Sequence, residues 1–183
     1  MKIDLTLTLT PEMAAQGSAN KALAGHLGTH FDVMDKDFPL EYTERRGVVF
    51  DVSKVGEREI GIADIDLGRV RAGTFAAFWT GFLAAEGYGT PRYWKEHPQL
   101  SVALIEALLE KGVSVIGIDF AGVRRGAEHV PTDQLCSDRG TFVVENLCNL
   151  ELLLGRTEEI TVHTYPMKLT GVSGLPCRVI AEV

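Results

Sequence analysis

Val113-Ser114-Val115-Ile116-Gly117-Ile118-Asp119 is rich in β-branched residues and lacks a polar face, the pattern of a central strand buried on both sides. The segment before it reads as a helix. Leu100, Ala103, Leu104, Ala107 and Leu108 recur at three- and four-residue steps, Pro98 to Ser101 opens the pattern, and Lys111-Gly112 gives a basic last turn and a terminal glycine. Phe142-Val143-Val144-Glu145-Asn146-Leu147 repeats the buried-strand pattern. Shorter β-rich runs are Gly47 to Val52, Val70 to Phe78 and Arg178 to Ala181, with Ile60-Gly61-Ile62 as part of another. Met1 to Thr6 alternates polar and apolar residues like a strand, and Pro11 to Ala24 fits a loop or a short helix. Many strands with few helices indicate an α/β fold with a large mixed sheet rather than strict βαβ alternation. Two apolar runs end in acids, Asp119 and Glu145, and a buried carboxylate requires a partner or a cation.

Chemistry is concentrated in Gly25-His26-Leu27-Gly28-Thr29-His30-Phe31-Asp32. The chain has five histidines, and two of them fall here beside an aspartate, the nitrogen and oxygen donors a borderline divalent cation prefers. A helix would set His26 and His30 on one face and turn Asp32 away. An extended strand or strand-like loop projects all three even-numbered positions to one side, so that is the expected backbone.

At 183 residues the chain is read as a single domain, 1–183, able to bury a core without disulfides. Its net charge of −7 and pI near 5.2, with no basic run longer than Arg45-Arg46 or Arg124-Arg125, argue against a nucleic-acid partner. There is no signal-peptide core and no stretch of membrane-spanning length, and Cys136, Cys148 and Cys177 are widely spaced without a CxxC. They read as reduced thiols of a cytoplasmic protein, with no membrane partner.

With these motifs in view the sequence resembles the cyclase family of metal-dependent hydrolases, which includes bacterial kynurenine formamidases and isatin hydrolase. His-x-Gly-Thr-His-x-Asp is matched by His26, Gly28, Thr29, His30 and Asp32. Further matches are Gly117-Ile118-Asp119, Glu145-Asn146-Leu147, Pro166-Met167-Lys168, Gly171-Val172-Ser173-Gly174-Leu175-Pro176-Cys177-Arg178, and the stretch from Tyr93-Trp94 to Ser101. The resemblance implies a kynurenine formamidase-like three-layer β/β/α (swivelling) domain with a large mixed β-sheet core. It also implies hydrolysis of a small amide or other C–N bond, such as a formamide, lactam or cyclic amide.

The resemblance further implies one or two divalent ions, zinc or manganese, with His26, His30 and Asp32 holding the first. Asp32 would bridge to a second ion held by Glu145 and by the residue twelve before it. That residue is Asp133 where the family has histidine, and His129 is the nearest alternative. An all-oxygen second site would favour harder ions such as manganese or magnesium. A second departure concerns the Pro and catalytic His that follow the motif in the family, here Met34 and Lys36. Lys36 either replaces that His, which requires a pKa well below about 10.4, or is solvated or paired with Asp35 or Asp37. Phe31, Phe38, Trp79, Phe82, Tyr93 and Trp94 are candidates for an aromatic substrate wall, although most belong in the core. The expected partners are a small-molecule substrate and further copies of the chain, as a homodimer or larger homo-oligomer. The rival readings are a catalytically altered protein of this fold that binds a small ligand through its metal, and a structural homo-oligomer whose ion only organises loops.

Overall fold

The parallel strands β3 (Glu44–Asp51), β4 (Phe75–Trp79), β5 (Val115–Ile118) and β6 (Phe142–Glu145) form the centre of the structure, a computed structural model that describes residues 1–8, 10 and 25–183. The helix or loop expected over Pro11 to Ala24 lies outside the described residues. Antiparallel strands extend both edges. β2 (His30–Asp32) pairs with β6 and with β8 (Gly174–Glu182), while β7 (Ile160–Pro166) pairs with β3. Because β7 also pairs with β8, the mixed sheet closes into a seven-strand barrel, with β1 (Lys2–Asp4) added alongside β8.

Alternation along each strand sorts the side chains into two cores. Phe31, Val49, Phe75, Ala77, Val115, Phe142, Val144, Val162 and Val179 fill the barrel. Val48, Phe50, Ala76, Phe78, Ile116, Ile118 and Val143 face outward under a helical layer. The two β layers of the three-layer arrangement are thus opposite walls of one closed sheet. Gly117 faces inward, where a Cβ would lie 2.8 Å from both Leu147 and Phe75 side chains, so only glycine lets those two meet.

Short helices α1 (Phe82–Glu86) and α2 (Pro91–Lys95) precede α3 (Val102–Glu110) in the β4–β5 crossover, and α4 (His129–Asp138) lies between β5 and β6. Ser101 caps α3 by accepting the Leu104 N–H at 3.2 Å, and the helix buries Leu104, Ile105 and Leu108 on the outer core. Each such burial contributes about 1.5–3 kcal/mol. The helix and the strands read at β5 and β6 lie where periodicity placed them. Val70 to Phe78 is only partly strand, because Gly73 at φ 77° turns the chain before β4. Ile60 makes a single bridge to Leu100, after which Asp64 accepts the Gly61 N–H and curls Ile62–Asp64 into a 3-10 turn.

The buried Asp119 is met by hydrogen-bond donors. It accepts hydrogen bonds from Thr80 N at 3.0 Å, Thr80 Oγ1 at 2.6 Å and Gly81 N at 2.6 Å, tying the end of β5 to the turn after β4. Burial nevertheless pushes its pKa up to about 6, the donors only partly offsetting it. A folded value above the unfolded one favours the protonated form, so this group's stabilisation is complete below about 3.8 and is lost as pH rises through about 6. Melting temperature should therefore carry a component that falls between pH 4 and 6, and Asp119→Asn should flatten it. An unchanged slope in the variant would assign that component elsewhere.

Candidate metal centre

The register of β2 against β6 sets the centre. His30 lies opposite Glu145 and Asp32 opposite Val143, so His30, Asp32 and Glu145 share the outward face of the barrel while Phe31 and Val144 point into its core. Strand geometry covers only His30–Asp32, not the whole motif. His26 reaches the same point from a turn in which Gly25 and Gly28 adopt φ 85° and 62°. A Cβ on Gly25 would sit 1.9 Å from the Gly174 carbonyl oxygen, so the turn can lie against β8 only as glycine.

His26 Nδ1 lies 2.9 Å from Asp32 Oδ1 and 3.1 Å from His30 Nε2. On the far side of the ring, His26 Nε2 is 2.8 Å from Ser173 Oγ. His30 Nδ1 faces the Gly28 carbonyl at 2.8 Å. A carbonyl can only accept, so Nδ1 carries the proton and Nε2 faces Asp32 at 3.6 Å and Glu145 at 3.5 Å.

The second half comes from α4, where a four-residue step sets His129 and Asp133 on one face. Pro131 falls in the first turn, where its missing N–H costs nothing. His129 Nε2 lies 3.0 Å from Asp133 Oδ2 and 3.2 Å from Glu145 Oε1. Gly122 leaves room for that ring, since a Cβ there would come within 2.9 Å of it. His129 and Asp133, alternatives in the sequence, thus stand side by side. Two donor sets result, His26/His30/Asp32 and Asp32/His129/Asp133, with the ligand atoms of each within 4.8 Å of one another. Asp32 belongs to both, and Glu145 approaches one histidine of each.

Electrostatics match a cation. Asp32 and Asp133 are each 2% exposed, yet both oxygens of Asp32 and Oδ1 of Asp133 accept no well-directed hydrogen bond. Buried acceptors left so are costly, and a positive ion among them removes the cost. Burial opposes charge on His30, but Asp32 and Glu145 outweigh it and push its pKa up to about 9. The same balance, with Asp133 and Glu145 as partners, pushes His129 up to about 11. Asp133 is itself pushed up by burial and by the neighbouring Asp32 and Glu145 charges, against the pull of His129. The residues present fit a divalent metal.

Beside these donors opens a cavity of about 410 Å³ whose apolar wall is Met34, Trp94, Ala121 and Val130. Met34 takes φ 58°, unusual for a non-glycine residue, while its N–H donates to the Ser173 carbonyl at 3.0 Å. Trp94 is the member of the aromatic set on this wall. Trp79 lines a different cavity, Phe31 is in the barrel core, and Tyr93 is buried against Asn146. Lys36, the candidate proton carrier, is not brought into the cavity. It pairs with Asp138 at 2.7 Å and Asp35 at 3.0 Å, and those hydrogen bonds push its pKa up rather than down. Ser173 had no assigned role in the sequence reading, although it lies in the Gly-x-Ser-Gly segment that matched the family.

The profile of the Cyclase family, described as "Putative cyclase", matches residues 3–124, a span that contains the first donor set and ends before His129 and Asp133 of the second. No curated protein matches the sequence. Among solved structures, isatin hydrolase A from Ralstonia solanacearum superposes with a TM-score of 0.78 at 22% identity, covering 99% of this chain and 91% of that one. Isatin hydrolase A from Labrenzia aggregata, bound to benzyl benzoate, gives 0.76 at 21% identity, with coverages of 99% and 93%. A structure described as a potential metal-dependent hydrolase with cyclase activity gives 0.74 at 22%, with coverages of 99% and 96%. These likenesses establish the fold, and with the profile spanning well over half of the sequence, the chain belongs to the Cyclase family.

Proposed function

We propose that the protein is a metal-dependent hydrolase that opens a small amide or other C–N bond, such as a formamide, lactam or cyclic amide. The observation that carries this reading is Asp32, buried with neither oxygen accepting a well-directed hydrogen bond, between two histidines on one side and the His129/Asp133 pair on the other. His26, His30 and Asp32 would hold one ion, and Asp32, His129 and Asp133 a second, with Glu145 beside both. Zinc or manganese suits the mixed nitrogen and oxygen donors. A bound ion of this kind supplies Lewis acidity toward a carbonyl and water of lowered pKa. The chain's own contribution is placement: Trp94, Met34, Ala121 and Val130 offer an apolar face to a ring or short side chain beside the donors. A solved isatin hydrolase of similar fold bound to the product analogue thioisatinate supports a cyclic amide among the candidates.

A second reading, a metal-dependent ligand-binding protein, draws support from Lys36, which is held in ion pairs and brings no proton to the cavity. Metal analysis followed by a panel of formamides, lactams and esters separates the two. Turnover should fall at least about 100-fold on chelation, which removes Lewis-acid and nucleophile activation together, and should return with Zn²⁺ or Mn²⁺. Full metal occupancy without turnover on any member of the panel would favour ligand binding.

A further inference from the structure

The residues that aim His30 lie outside the donor sets. The Gly28 carbonyl accepts two hydrogen bonds, from His30 Nδ1 at 2.8 Å and from Asn146 Nδ2 at 2.7 Å. Asn146 is wholly buried in the left-handed region at φ 59°, and its backbone carbonyl accepts the Thr29 hydroxyl at 2.8 Å. Its side-chain oxygen accepts the hydroxyl of Tyr93. The Gly28 carbonyl, which can only accept, decides which way the amide faces: it holds the NH₂ group toward itself and leaves the side-chain oxygen to take the Tyr93 hydroxyl proton. The Gly28 N–H donates to Tyr88 Oη at 3.0 Å, so the peptide units on both sides of this turn residue are pinned.

Tyr93 in turn is fixed from outside the barrel. Thr90 caps α2 by accepting the Tyr93 N–H at 3.0 Å, and Phe82 stacks on its ring with centroids 5.8 Å apart. A chain of donors therefore runs from α2 through Asn146 to the Gly28 carbonyl, the acceptor that holds the Nδ1 proton of His30.

We propose that Tyr93 and Asn146 are positioning residues of the metal centre, a pair that holds the Gly28 carbonyl so that His30 presents Nε2 to the donor cluster. The inference rests on the metal reading above and concerns groups that touch neither a ligand atom nor the substrate cavity. Tyr93→Phe deletes one hydroxyl and keeps the ring. Asn146→Asp keeps the shape and replaces the amide donor with an acceptor.

The test is titration of Zn²⁺ into the metal-stripped full chain, alongside exchange of the His30 Nδ1–H by NMR of ¹⁵N-labelled protein. Tyr93→Phe should weaken Zn²⁺ binding by up to about 10-fold, the low end of the range for losing an outer hydrogen-bond partner of a metal ligand, because Tyr93 acts on His30 through Asn146 and the Gly28 carbonyl. The His30 proton should exchange faster, and Asn146→Asp should do at least as much. Phe82→Leu disturbs the same aromatic cluster without removing a hydrogen bond, and should lower the melting temperature while leaving Zn²⁺ affinity unchanged. Equal affinity and equal proton exchange in wild type and Tyr93→Phe would overturn the inference. So would a Phe82→Leu variant that loses as much affinity, since packing alone would then explain it. If wild-type protein bound no Zn²⁺, the metal reading would fail, and exchange of the His30 proton in metal-free protein would still decide the role of the pair.

Discussion

Asp32→Asn is expected to empty both donor sets at once. The native carboxylate is shared between His26/His30 and His129/Asp133 and is 2% exposed. The amide keeps the volume but removes a full negative charge and one acceptor oxygen, and its NH₂ group would face histidine nitrogens that already converge there. Metal affinity should fall at least about 100-fold, more than for an outer-partner change because a ligand itself is lost, and turnover should fall with it. His129→Ala should remove only the second set, leaving the first intact and at least one ion bound. Elemental analysis after gel filtration measures both. If Asp32→Asn retained wild-type metal content, the bridging assignment would be wrong.

The other large effect is structural. Gly25→Ala should destabilise the protein by roughly 3 kcal/mol, combining a left-handed backbone that costs an L residue about 1–2 kcal/mol with overpacking of about 1–3 kcal/mol. The new Cβ would meet the Gly174 carbonyl oxygen at 1.9 Å, and a backbone atom cannot swing aside as a side-chain tip can. Separating the turn from β8 would also pull His26 away from Ser173, so metal affinity should drop together with stability. Urea unfolding of metal-free protein gives the first quantity and calorimetry the second. A loss below about 1 kcal/mol would show that the turn has another place to go.

What could be read from residues alone follows physical lines. β5, β6 and α3 were legible because both faces of those strands and one face of that helix are apolar, so composition and period agree with the structure. The first donor set was legible because its three members lie within seven residues. α4 was not. Its buried positions are Asp133, Cys136 and Ser137, of which only Cys136 joins the outer core, so the helix shows no apolar stripe, and Pro131 reads as a breaker unless the helix start is known. The choice between His129 and Asp133 stayed open for the same reason: only a helical step brings both to one place. β7 carries a weaker signal although Ile160, Val162 and Thr164 alternate inward, since the intervening residues and Thr164 itself are polar and only two inward positions are aliphatic. Barrel closure rests on β7–β8 pairing against strands far away in sequence, which no local pattern encodes. For Lys36, the decisive partner is Asp138 on α4, about a hundred positions later, beyond the reach of a local reading.

The position of β2 has a consequence for how the chain acquires its centre. This three-residue strand, which precedes β6 and β8 in the chain, is held on one side by β6 and on the other by the first residues of β8, the last described strand. A ribosome must therefore deliver residues up to 176 before His30 and Asp32 gain both neighbours, and His26 waits equally long for Ser173. Between the synthesis of residues 32 and 176 a nascent chain would carry this dense set of candidate ligands with no completed cradle. Pairing of such distant segments is slow to nucleate, so capture of the proposed ion would be a late event in biogenesis. Chains released without β8 would be poor in metal however complete the earlier strands are.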